Sequence, residues 1–102
     1  MATIEQLTTR IADTLRTGEP LPHVVKIDLK GAGFIHIDGA MVTNRDAPAD
    51  LVVTISLDDV VALGRRRLDP MTALMSRRMR MSNMGLAMSM QSQIQTLFSQ
   101  AA

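Results

Sequence analysis

Val25-Lys26-Ile27-Asp28-Leu29-Lys30 alternates apolar and charged residues without a break. Successive side chains of a strand point to opposite faces, so this period of two predicts a half-buried strand with Val25, Ile27 and Leu29 inward. Gly31-Ala32-Gly33 interrupts it, and the alternation resumes from Phe34 to Asp38, with Ile35 and Ile37 on one face. Asp38-Gly39 is a hairpin turn signal. Ala40 to Thr43 then reads as a short strand, Asn44-Arg45-Asp46 as a turn and Ala47-Pro48-Ala49-Asp50 as a connector. Leu51, Val53, Ile55 and Leu57 alternate once more. Turns this short favour antiparallel neighbours, because a parallel pair needs a long crossover.

The period changes on both sides of this block. Upstream, Ile4, Leu7, Ile11 and Leu15 form one stripe at helical spacing, which predicts a helix over 3–17. Thr3 with Gln6 matches a capping box. Gly18 is expected to supply a left-handed stop, and Pro20 prevents continuation. Downstream, Ser56 followed by Asp59 opens a short helix that runs to Gly64, and Asp69-Pro70 opens another whose apolar side holds Met71, Ala73, Leu74 and Met75. Met79 and Met81 alternate with Arg78 and Arg80 as a further strand. Ser82-Asn83 caps one last helix with an inner face of Met84, Ala87, Met88, Met90, Ile94, Leu97 and Phe98, leaving Gln91, Gln93 and Gln95 to water. Helix, strand meander, helices, strand, helix is an α+β order, and 102 residues support a single domain.

Composition removes several function classes. There is no cysteine, hence no disulfide scaffold, thiolate nucleophile or thiolate metal site. The net charge of +1 gives no global field for a polyanion. Phe34 and Phe98 are the only aromatic residues, too few for a base-stacking platform, so no nucleic-acid partner is expected. The N-terminus lacks the pattern of a signal peptide, and no apolar run approaches the ~20 residues that span a bilayer, so a cytoplasmic location is expected. His36 and Asp38 share a strand face but lack a third ligand, so no metal is expected. Asp58-Asp59 is explained as a pair of dipole partners at a helix start. No glycine-rich phosphate loop and no nucleophile with a base beside it is present, so neither catalysis nor a cofactor is expected.

Two features remain. Seven of nine methionines crowd into the last third (Met71, Met75, Met79, Met81, Met84, Met88 and Met90). Methionine is unbranched and polarizable, so it suits a surface that reshapes around ligands as well as a core. Charge is also segregated. Residues 65–80 hold Arg65, Arg66, Arg67, Arg77, Arg78 and Arg80 against one acid, Asp69, a local +5 set against −4 for the rest. Such a cluster beside an apolar helix fits transient contact with an anionic membrane, at about 1 kcal/mol per basic residue near the surface, or a solvated pair of loops that keeps the protein soluble.

Three stretches resemble the sterol carrier protein type 2 domain family: Pro48 to Leu57 its central strand and the approach to a short helix, Leu68-Asp69-Pro70-Met71-Thr72-Ala73 its Asp-Pro helix start, and Asn83-Met84-Gly85-Leu86-Ala87-Met88 the beginning of its last helix. The strand from Val24 to Gly31 fits as well. The chain departs from the family at Ser76 to Ser82, where a glycine is usual near Arg77; the strand's alternation is kept if this turn is one residue shorter. The resemblance implies a mainly antiparallel sheet of about five strands, covered by helices, with an apolar tunnel between them. It also implies non-catalytic binding and transfer of fatty acyl chains, isoprenoids or quinones, or sterol-like lipids, and relatives of bacterial origin. Val53, Ile55, Met71, Leu74, Met75, Met84, Met88 and Phe98 are the expected ligand-lining residues. A competing reading is a module without a lipid site that docks on a partner protein or its own copy through the methionine-rich face.

Overall fold

In the computed structural model, which describes residues 3–101, the alternating block folds into one five-stranded sheet. The chain runs α1 (Ile4–Thr17), β1 (Val25–Asp28), β2 (Phe34–Asp38), β3 (Met41–Thr43), β4 (Leu51–Ile55), α2 (Leu57–Gly64), α3 (Pro70–Met75), β5 (Met79–Met81), α4 (Met84–Ser89) and α5 (Gln91–Ala101). Strand order is β3-β2-β1-β4-β5.

Register converts the alternation into apolar rows. Ile35, Ile27, Val53 and Met81 face one another across four strands, and beside them Val42, Ile37, Val25 and Leu51 make a second row. The central members of both rows are buried, and the face they form is the floor of a single core. Leu7, Ile11 and Leu15 of α1 and Ile94, Leu97 and Phe98 of α5 complete that core. At roughly 25 cal/mol per Å² of apolar surface, this burial is the main term favouring the fold.

The sheet is mainly antiparallel, as expected: β2 pairs antiparallel with β1 and β3, and β4 with β5, while β1 and β4 pair in parallel although the short turns favour antiparallel neighbours. The expectation assumed that β4 pairs with β3, its neighbour in sequence. Instead the whole β2–β3 hairpin lies within the connection from β1 to β4, which supplies the long crossover a parallel pair requires. Residues 44–50 return across the outer face of the sheet. There His36 donates from Nε2 to the Pro48 carbonyl (2.9 Å), and Lys26 donates from Nζ to Asp46 (2.6 Å).

The helix ends follow local chemistry, with three corrections. The Thr3–Gln6 capping box forms in both directions. Gly18 is not left-handed but extended (φ −113°); its N–H reaches the Thr14 carbonyl, and a Cβ there would lie only 3.0 Å from that oxygen. Close approach rather than φ therefore explains the glycine. Leu57 is not the end of a strand but the first residue of α2, because Ser56 accepts from the Asp59 N–H and turns the chain. The expected last helix is two helices, broken at Met90 (φ −108°, ψ 15°), whose N–H is shared between the Leu86 and Ala87 carbonyls.

Candidate functional site

From Asp69 onward the chain builds a wall with little beneath it. Asp69 caps α3 by accepting from the N–H groups of Met71 (3.0 Å) and Thr72 (3.2 Å), with Pro70 pre-set for the first turn. Six residues are too few for a helix to persist alone, so α3 depends on this cap and on Ala73, which is fully buried. Its other apolar side chains stay out of the core: Leu74 is half-buried, Met71 is 62% exposed and Met75 79%. After α3 the chain turns through Arg77 in the left-handed region (φ 62°), at the place where glycine is the favoured residue. β5 then adds to the sheet edge with Met79 buried, Met81 half-buried and Arg80 exposed, so the strand's methionines point inward.

α4 and α5 present two neighbouring stripes. Ala87, Met90, Ile94 and Leu97, spaced three, four and three apart, are buried, and Ala87 and Ile94 also border a cavity. Met84, Met88, Gln91, Gln95 and Phe98, spaced four, three, four and three, continue beside them and face a cavity. This second stripe crosses the break at Met90, with Met84 and Met88 of α4 and Gln91, Gln95 and Phe98 of α5 lining the same cavity.

The cavity has a volume of about 520 Å³, within the ~300–1,000 Å³ range of ligand pockets. It lies between α3, β5, α4 and α5, with Leu63 of α2 at its base. Of the expected lining residues, the structure brings Met71, Leu74, Met75, Met84, Met88 and Phe98 together around it. Val53 and Ile55 are not there: they sit at 1% and 0% exposure in the middle of the sheet, under α-helical side chains that close the core over them. Met79 and Met81 take that place, because β5 is the strand at the sheet edge nearest α3. Gln91 and Gln95, expected to face water, are exposed and also line the cavity. Their signal was their place in the Met84–Phe98 stripe. Six methionines thus line one cavity, and Met84 (48%) and Met88 (69%) join Met71 and Met75 in being solvent-exposed at its mouth. Apolar surface left in water at a concave site is the usual mark of a binding surface.

The six arginines are all exposed, and none pairs with a carboxylate among the described residues. Arg65, Arg66 and Arg67 precede α3, Arg77 and Arg78 follow it, and Arg80 lies on β5, so the exposed methionines of α3 have cationic groups at either end of the helix. Among the described residues there is no group of three or more side chains able to hold a metal ion, and no helix long and apolar enough to cross a membrane.

The SCP-2 sterol transfer family matches residues 4–95 of the chain. A sequence search of curated proteins found no significant match. Among solved structures, sterol carrier protein 2 like 2 from Aedes aegypti superposes with a TM-score of 0.72 at 21% identity, over 85% of this chain and 92% of that one. Sterol carrier protein domain 2 of Helicoverpa armigera gives 0.54 at 24% identity, over 89% and 75%. A conserved hypothetical protein from Thermus thermophilus, described as possibly a sterol carrier protein, gives 0.53 at 15% identity, over 99% and 87%.

Proposed function

The chain belongs to the SCP-2 sterol transfer family, and on that premise we propose that it binds one lipid molecule in the methionine-lined cavity and carries it between membranes. The ligand is a fatty acyl, isoprenoid or quinone, or sterol-like molecule, held without covalent chemistry, metal or cofactor in what becomes an apolar tunnel once occupied. Met71, Leu74, Met75, Met84, Met88 and Phe98 displace water around it, joined by Met79 and Met81. Val53 and Ile55, paired with Met81 and Met79 in the sheet, support them from the side. The observation that carries this reading is the exposure of four methionines at the mouth of one apolar cavity. Each Å² of their surface covered by ligand contributes about 25 cal/mol, and unbranched side chains adapt to differing outlines.

We assign the six arginines to transient contact with anionic membranes, where they bring the mouth of the cavity to the bilayer. The setting we favour is a bacterial cytoplasm, in keeping with a chain free of cysteine. Binding to liposomes is expected to grow with anionic lipid content, to weaken as salt screens charges beyond ~10 Å at 0.1 M, and to fall on charge reversal of Arg65, Arg66 and Arg67. Equal binding to neutral and anionic liposomes removes the membrane role alone.

Titration with a fluorescent fatty acid tests the main reading and is expected to saturate near one equivalent per chain. No saturable binding across fatty acids, isoprenoid quinones and sterols would overturn it and leave the methionine face as a surface for docking on protein.

A further inference from the structure

A second cavity, of about 590 Å³, adjoins the first. The two share Leu63, Asp69, Pro70, Gln95 and Phe98 as a common wall, but their other linings differ in kind. The first is completed by methionines; the second is completed by Arg66, Arg67, Thr72 and Ser99 with Leu68. We propose that this second cavity is the headgroup end of the lipid site and selects single-chain amphiphiles with an anionic head, a carboxylate or a phosphate. The proposal rests on the lipid-binding reading and adds to it the class of ligand.

Guanidinium groups are planar forks that match carboxylate and phosphate oxygens, and neither Arg66 nor Arg67 is paired with a carboxylate of the described chain. Asp69 is the one acid in the lining, and its Oδ2 is engaged by two N–H groups of α3. Two cations against one capped carboxylate leave a net positive end beside an apolar one. The turn that carries the arginines is fixed by backbone bonds from Arg66 to the Leu63 carbonyl (3.1 Å) and from Arg67 and Leu68 to the Ala62 carbonyl (2.8 and 3.1 Å), with Leu68 buried beneath it. Arg66 is held there at φ 60°, a conformation that disfavours any residue with a Cβ.

The test compares hexadecanoate, hexadecyl phosphate and hexadecanol, each below its critical micelle concentration and without vesicles, so that bilayer attraction plays no part. The wild-type protein is expected to bind the two anions at least ~10-fold more tightly than the alcohol, the scale of one charge-assisted hydrogen bond. In the Arg66→Gln/Arg67→Gln variant the ratio is expected to fall near one through weaker binding of the anions. Inorganic phosphate at equal concentration is expected to leave hexadecyl phosphate bound; full displacement would show a free-anion site and overturn the proposal. Equal binding of acid and alcohol by the wild type, or an undiminished ratio in the variant, would overturn the headgroup site while leaving the lipid site standing. Failure of the wild type to bind any of the three would instead overturn the lipid-binding reading, and the headgroup site with it.

Discussion

The sheet and the last third of the chain are comparably apolar, yet they use that apolarity in opposite ways. On β1, β2 and β4 the inward positions are Val, Ile and Leu, 0–2% exposed. From α3 to α4 the cavity is lined mainly by methionines, and four of them are 48–79% exposed. Branched side chains have few rotamers and fill a fixed shape, whereas methionine has three rotatable bonds and fills whatever is offered. The difference teaches that hydrophobicity alone does not separate a core from a binding wall; branching and helix length do. α1 runs 14 residues and lays a full stripe on the core, while α3 has six and buries only Ala73.

The sharpest way to break this comparison is truncation on each side. Ile55→Ala opens a cavity in a closed core and is expected to cost ~2–5 kcal/mol of unfolding free energy in denaturant titration. Met88→Ala, at a side chain already 69% exposed, is expected to cost well under that range, about 1 kcal/mol or less. Equal costs would mean that the methionine wall is ordinary core. A smaller effect is expected from Asp69→Ala, which removes the acceptor of two N–H groups; thermal unfolding should report a loss of ~0.5–2 kcal/mol. Lipid affinity should fall with it if α3 is as dependent on its cap as the geometry indicates, and unchanged affinity would show that α3 is held by other means. The double change Met84→Leu/Met88→Leu nearly conserves volume at two exposed side chains and should cost well under ~1.5 kcal/mol. Its expected signature is a changed ranking among lipids of different shape, measured by competition; an unchanged ranking would assign these side chains a passive role.

Much of the sheet side was legible in the sequence because each of its signals is local. β2 begins at Phe34 and ends at Asp38, where the alternation placed it, and the Thr3–Gln6 box and the Asp69-Pro70 start form as their residue types dictate. What was not legible depends on distant partners. The parallel pairing of β1 with β4 follows from where the β2–β3 hairpin packs, which no turn residue encodes. The break at Met90 carries no glycine or proline; it arises where Met90 bonds two carbonyls and Ser89 Oγ donates to the Leu86 carbonyl (2.8 Å). In the site, alternation identified Val53 and Ile55 as inward-facing but could not say that helices close over them, while Met79 and Met81 at the sheet edge remain open to the cavity. Gln91 and Gln95 face solvent, as their polarity requires, and their spacing from Met84, Met88 and Phe98 also places them on the cavity stripe.

The methionines also provide the most direct test of the central claim that the cavity between α3, β5 and α4–α5 holds the lipid. With 13C-labelled methionine methyl groups, each described methionine becomes a separate NMR probe during titration with a spin-labelled fatty acid. Met41, 68% exposed on β3 and absent from the cavity lining, serves as an internal control. The expected result is strong, saturable broadening of Met71, Met75, Met84 and Met88, with Met79 and Met81 affected from within and Met41 far less. Broadening of Met41 as strong as that of Met84 and Met88, or no saturable change at the cavity methionines, would contradict the account.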